Sequence, residues 1–141
     1  MQQSLINTIE IEVKFSDVDM LGVVWHGNYI RYFEDGREAF GKQYGLGYMD
    51  VYNAGYVVPI VNVNCDYKRF LRYEDKVIIE TSYTPTESAK INFTYRLLNA
   101  QTGELIVKGS TVQVFVRREN FELQLTNPDF FLDWKQKQGL I

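Results

Sequence analysis

One stretch of this chain carries a helical period while nearly all of its other regular segments carry a period of two, and that contrast restricts the fold more than any other feature. From Thr8 to Phe15, Ile9, Ile11, Val13 and Phe15 alternate with Thr8, Glu10, Glu12 and Lys14, which predicts a strand with one buried face. From Asn28 to Tyr44 the spacing changes. Tyr29, Ile30, Phe33, Arg37, Phe40 and Tyr44 recur every three or four residues, Asn28 suits an N-cap, and Gly45 and Gly47 stop the pattern, so a helix about 25 Å long is expected over 28–44. After a Gly- and Tyr-rich connection the alternation returns. Val61, Val63, Cys65 and Tyr67 mark a second strand, Val77, Ile79, Thr81 and Tyr83 a third that ends at Pro85, and Ile91, Phe93, Tyr95 and Leu97 a fourth. Asn99–Gly103 reads as a hairpin turn into a fifth run, Leu105 to Arg117, whose phase breaks near Gly109 and predicts a bulge or bend there. Asn127-Pro128-Asp129 opens a short C-terminal helix ending near Gln138.

Strand, one long helix, then four strands at hairpin-like spacing predict an α+β fold, an antiparallel sheet with its lone helix on one face. Such a sheet has two open edges, and open edges invite a symmetric dimer that continues the sheet across subunits.

The chain has 141 residues, enough for one domain, expected to span 1–141 without repeat or linker. Hydrophobic residues make up 45% and charged residues 23%, which excludes a disordered chain. The net charge of −3 argues against a general nucleic-acid binder, which needs a positive surface to displace counterions. An anionic ligand therefore requires a local basic patch. Cys65 has no second cysteine to pair with, the start Met1-Gln2-Gln3-Ser4-Leu5 lacks the flank and apolar run of a secretory signal, and no apolar run is long enough to span a bilayer, so a cytoplasmic protein is expected. The aromatic fraction of 15% leaves ring surface for a pocket or an interface.

Polar residues crowd between the first strand and the helix: Asp17, Asp19, the single histidine His26, and Asn28, with Gly22 and Gly27 among them. Three readings fit. The acids make turn hydrogen bonds and His26 is a satisfied polar residue. The acids join His26 and Glu34 around a metal, with a poor ligand set because the chain has one histidine. In the third, a carboxylate faces a helix N-terminus, whose free amides and dipole stabilise negative charge developing on a substrate carbonyl, as acyl transfer needs. Cys65 lies in a strand pattern and reads as a small buried hydrophobe.

The run Phe15-Ser16-Asp17-Val18-Asp19-Met20-Leu21-Gly22-Val23-Val24-Trp25-His26-Gly27-Asn28-Tyr29, followed by Tyr32-Phe33-Glu34 and Arg37, resembles the motif of hotdog-fold acyl-CoA thioesterases of the 4-hydroxybenzoyl-CoA thioesterase type. The strands from Val61 to Tyr67 and Arg69 to Glu80 resemble the family as well. The resemblance implies a five-stranded antiparallel sheet wrapped around one long central helix, a homodimer or homotetramer with active sites between subunits, and no metal or organic cofactor. It implies that Asp19 is the catalytic carboxylate and that the backbone N–H of His26 polarises the thioester carbonyl. Asp17 is then a structural acceptor, Asn28 and Tyr29 match the helix start, where Tyr29 packs or meets substrate, and Glu34 pairs with Arg37 or orients the site. Val57, Val58, Pro59 and Ile60 correspond to the lining of the neighbour's acyl pocket and, being apolar, suit an aliphatic acyl group; on composition alone they are equally core. For the CoA phosphates the candidates are Lys68, Arg69 and Arg72, with Lys90 and the Arg117-Arg118 pair as alternates.

The implied reaction is hydrolysis of an acyl-CoA to free acid and CoA, with Asp19 as general base or as nucleophile. Two rivals stand beside it. One is a hotdog hydratase or dehydratase, which needs an acid/base pair at the acyl α-carbon; the other is a non-catalytic acyl-CoA sensor or scaffold.

Overall fold

The computed structural model describes residues 5–141. The first four, on which much of the argument against a secretory leader rests, lie outside it. Strand β1 (Ile6–Glu12) leads through a short 3₁₀ turn (Phe15–Asp17) and a loop to helix α1 (Asn28–Tyr44). Helix α2 (Tyr48–Asn53) and the two-residue strand β2 (Tyr56–Val57) follow, then β3 (Ile60–Tyr67), β4 (Lys76–Thr84), β5 (Lys90–Asn99), β6 (Leu105–Val114), a second two-residue strand β7 (Val116–Arg117), and helix α3 (Asp129–Lys137). Five strands form one antiparallel sheet in the order β1-β4-β5-β6-β3, and β2 pairs with β7 in a separate ribbon.

The period of two and the period of 3.6 meet along one seam. Val77, Ile79, Thr81 and Tyr83 of β4 stand in register with Asn99, Leu97, Tyr95 and Phe93 of β5, and apart from Asn99 all of these inward residues are buried. Against them α1 presents Tyr29, Tyr32, Phe33, Gly36 and Phe40, the inner stripe of an amphipathic helix. Phe33 stacks on Tyr95 with ring centroids 4.3 Å apart, and Phe40 meets Phe93 edge-on at 4.9 Å. Two glycines set how close the layers come. A Cβ on Gly36 would lie 2.3 Å from the Thr81 Oγ1, and one on Gly109 would lie 2.3 Å from the Phe33 ring and 2.7 Å from the Asn64 carbonyl. At the far end of α1, Gly45 takes a left-handed φ of 73°. There α3 closes the helix: Trp134 Nε1 donates to the Tyr44 carbonyl at 2.7 Å, and Gln138 Nε2 donates to the same oxygen at 3.2 Å.

Several boundaries depart from the expectations. The first strand stops at Glu12, so Phe15, expected on its buried face, stands 76% exposed on the 3₁₀ turn. Asn28 is the first helical residue and Gly27 the N-cap. Gly109 sits in unbroken register between Cys65 and Tyr95, so its role is the close approach of Phe33 and not a bulge. The irregularity expected near Gly109 lies three residues earlier, at Ile106, where Val107 pairs with Leu97 and Leu105 with Leu98, and the run divides at Phe115, which leaves the ladder to pack fully buried against Phe131 at 4.9 Å. Glycine and tyrosine in the connection after α1 also concealed α2 and β2, both too short to show a period.

One edge of the sheet is unusual. Every residue of β3 is exposed except Cys65, which is half-buried, and among the described residues β3 bonds β6 on one side and no strand on the other.

Candidate active site at the entrance to the central helix

The loop between the 3₁₀ turn and α1 is held by Asp17. Its carboxylate accepts the Lys14 N–H at 2.9 Å and the Tyr32 hydroxyl at 3.0 Å, and forms an ion pair with Arg31. Its carbonyl accepts the Trp25 N–H at 3.0 Å and Asn28 Nδ2 at 2.8 Å. Asp17 thus ties the strand end, the loop and the first turn of α1 together. Burial pushes its carboxyl up, but the Lys14 amide, the Tyr32 hydroxyl and the Arg31 guanidinium together outweigh that and hold it below the ordinary carboxylate value. The structural role expected for Asp17 is what its contacts describe; Arg31, its charged partner, carried no signal in the sequence beyond lying at i+14.

Asp19 sits at the base of a tight hairpin. The Asp19 N–H donates to the Val23 carbonyl at 2.9 Å, the Gly22 N–H donates to the Asp19 carbonyl at 3.0 Å, and Gly22 takes φ 79°, a conformation that favours glycine. Met20 and Leu21 project from the tip, fully or largely exposed. The half-buried Asp19 carboxylate accepts the Leu21 N–H on Oδ1 at 2.8 Å, and no donor among the described residues reaches its Oδ2. Burial raises the nearby Tyr29 phenol, the Leu71 amide opposes that, and Cys65, Asp75 and, least, Asp19 add to the rise.

At the helix entrance, the Trp25 carbonyl accepts the Asn28 N–H at 2.9 Å and the His26 carbonyl accepts the Tyr67 hydroxyl at 2.9 Å. The N–H groups of His26 and Gly27 have no acceptor among the described residues. The His26 side chain is exposed and lies against Trp25, with ring centroids 4.8 Å apart. The arrangement offers a carboxylate with one unengaged oxygen and, on the neighbouring turn, two unpaired backbone donors at the positive end of a 17-residue helix, the parts that addition to a carbonyl requires.

The other candidate residues divide by end of the sheet. Lys68 and Arg69 follow Tyr67 and lie beside the entrance; Arg69 already pairs with Glu104 at 2.7 Å, while Lys68 is exposed. Arg72 is exposed in the turn whose backbone bridges Val23. Lys90 stands at the start of β5 beside Val114, at the end of the sheet where β3 begins, about 23 Å along the strands from Tyr67. Val57, Val58, Pro59 and Ile60 occupy that same far end, with Val57 paired to Val116 and the Pro59 carbonyl accepting the Val114 N–H. Within one chain they do not meet Asp19. Tyr29 is 2% exposed and its hydroxyl accepts the Leu71 N–H at 3.0 Å, so a substrate contact finds no open surface on it. Arg37 approaches Glu34 only at 4.0 Å and donates instead to the Tyr95 hydroxyl at 3.1 Å. Burial raises the Cys65 thiol above its ordinary value, which argues against a reactive thiolate.

Residues 13–134 match the family model described as the thioesterase-like superfamily. A relative in Bacillus subtilis (strain 168), named "Putative acyl-CoA thioesterase YneP", is 33% identical over 113 residues, 80% of this chain and 81% of its own length. The solved structure of a DHNA-CoA thioesterase from Staphylococcus aureus superposes with a TM-score of 0.83 at 28% identity, covering 96% of this chain and 92% of that one. A 4-hydroxybenzoyl CoA thioesterase mutant complexed with 4-hydroxybenzoyl CoA shares the fold with a TM-score of 0.79 at 21% identity, covering 92% and 98%. With a long helix in the embrace of a five-stranded antiparallel sheet and a matching motif at the helix entrance, the chain belongs to the thioesterase-like superfamily of hotdog-fold hydrolases.

Proposed function

We propose that this protein hydrolyses acyl-CoA thioesters, with Asp19 as the catalytic carboxylate and the His26 N–H as a donor to the carbonyl oxygen. The observation that carries the reading is the pairing of a half-buried carboxylate, bonded on one oxygen only, with unpaired amides at the mouth of α1. Negative charge builds on the carbonyl oxygen as the tetrahedral intermediate forms, and preorganised amides at the helix N-terminus stabilise it there. Asp19 either takes a proton from the attacking water or attacks the carbonyl itself, forming a mixed anhydride that water cleaves. The leaving thiolate belongs to a thiol of pKa ~8.5 if it resembles cysteine, so it departs without a strong general acid.

The site is completed by a second copy of the chain. Antiparallel pairing of two β3 edges about a two-fold near Val63 and Asn64 would bring the Ile60 end of one protomer beside the Tyr67 end of its partner. Val57, Val58, Pro59 and Ile60 would then flank the partner's Asp19, and Lys90 would join the partner's Lys68 as cation for CoA phosphates. That geometry reunites residues that a single chain holds at opposite ends of the sheet. The apolar character of residues 57–60 favours an aliphatic acyl group; the aromatic acyl group named for the 4-hydroxybenzoyl CoA thioesterase favours a ring as the second reading.

Purified protein mixed with a panel of aliphatic and aromatic acyl-CoAs and a thiol reagent tests the proposal. Thiol release by the wild type that Asp19→Asn reduces at least a hundredfold supports it, and His26→Ala is expected to lose less because its amide remains. Saturable binding without thiol release identifies a sensor or scaffold instead, and water added across or lost from the acyl chain identifies a hydratase or dehydratase.

A further inference from the structure

We infer that Tyr67 is a positioning residue for the proposed hydrolysis: its hydroxyl, bonded to the His26 carbonyl, orients and polarises the His26–Gly27 peptide so that the Gly27 N–H becomes a second donor to the thioester oxygen. The inference rests on the reading of Asp19 and His26 above. Its starting point is the turn Trp25–Asn28, closed by the Asn28 N–H on the Trp25 carbonyl at 2.9 Å. Gly27, the third residue of that turn, has φ −69° and ψ −23°. A type II turn requires positive φ at that position and a type II′ turn requires it at His26, which does not have it, so this is a type I turn and His26 is helical in backbone. The N–H groups of two successive helical residues point the same way, out of the N-terminal end of the helix. Neither has an acceptor among the described residues.

In a trans peptide the C=O and the following N–H point in opposite directions. The Tyr67 hydroxyl holds the His26 oxygen at 2.9 Å, and that bond directs the Gly27 N–H to the opposite side. A hydrogen bond to a peptide carbonyl also strengthens the donor of the same peptide. The Tyr67 ring is itself braced edge-on against Tyr29 at 5.5 Å. Although the Tyr67 side chain is exposed, partial desolvation of its phenol, with the Cys65 thiol beside it, pushes it up to about 12, so it stays protonated and donating throughout the pH range of thioester hydrolysis. Gly27 has a further reason to be glycine: a Cβ there would lie 2.2 Å from the Trp25 ring.

The test compares wild type, Asp19→Asn, Tyr67→Phe and the double variant. Tyr67→Phe is expected to lower kcat about tenfold with KM unchanged, less than the loss of a whole donor. The infrared stretch of a ¹³C-labelled thioester carbonyl, bound to Asp19→Asn, is expected below that of free acyl-CoA and to move back toward the free value in the double variant. A residue that only packs would leave that frequency in place. Should Tyr67→Phe fail to fold, 3-fluorotyrosine at position 67, a stronger donor of nearly the same shape, is expected to lower the frequency further. Unchanged kcat and unchanged frequency in either Tyr67 variant, with Asp19→Asn inactive, overturn this inference alone. Full turnover by Asp19→Asn overturns the reading of the site on which it rests.

Discussion

Asp17 and Asp19 are two residues apart and chemically identical, and their surroundings give them different work. Asp17 is buried and engaged by five groups, counting the Trp25 and Asn28 bonds to its carbonyl, whereas Asp19 keeps an oxygen unbonded. Under the proposed reaction the second of the pair is the reactive one. Replacing Asp17 with Ala orphans the buried Tyr32 hydroxyl and the Lys14 amide, an expected cost of about 2–3 kcal/mol, read as a lower urea midpoint. The same residue gives the fold a pH dependence. Its folded-state pKa lies below the unfolded value, so its contribution is complete above the ordinary carboxylate value of about 4 and is lost as pH falls through the depressed one. Urea titrations from pH 6 down to pH 2 are expected to show stability falling in acid for the wild type and falling less for Asp17→Asn. Of this pair of roles, the motif indicated which acid is structural, but not that Arg31 and Tyr32 hold it, because a residue's neighbours across a loop leave no periodic trace.

Each element was as legible as its period was long. The 17-residue helix appeared at its observed bounds, since six residues at helical spacing, of which Tyr29, Phe33 and Phe40 are buried, outweigh any local exception. The strands β4 and β5 likewise bury the alternating set the sequence marked. Where an element is two to six residues long, as in α2, β2 and β7, no period can accumulate. Gly109 illustrates a different limit. A glycine in a strand reads equally as a bulge or as a close approach, and only the position of Phe33 across the layer decides between them. Gly109→Ala is expected to cost about 1–3 kcal/mol, because the new methyl would meet the Asn64 carbonyl, which is backbone and cannot swing aside. Thermal unfolding of the purified variant measures it, and Phe33→Leu in the same background, by shrinking one of the two obstacles, is expected to recover only part of the loss.

For the whole molecule, the exposed β3 edge matters most. It carries Val61, 57% exposed, with Val63 and Tyr67 exposed alongside it, and an unpaired strand of this kind is a template for another chain. Under the proposed dimer, Val63→Lys places two like charges close to the two-fold. Sedimentation velocity is expected to show a shift from dimer to monomer, with thiol release falling in parallel, since the residues at the Ile60 end would no longer reach the partner's Asp19. A variant that is monomeric yet fully active would contradict a site shared between protomers.

The order and type of the long elements, and the stretch proposed to carry the chemistry, were legible in the amino-acid sequence alone, because periodicity and motif spacing are properties of neighbouring residues. Which contacts complete that stretch was decided only when the chain closed on itself. The Tyr67 hydroxyl reaches the His26 carbonyl across 41 positions of sequence, and Leu71 reaches Tyr29 across 42. Such bonds depend on strand order and register, which no local pattern encodes: the sheet places the strand after the helix at its edge, and that placement brings the phenol to the entrance of α1.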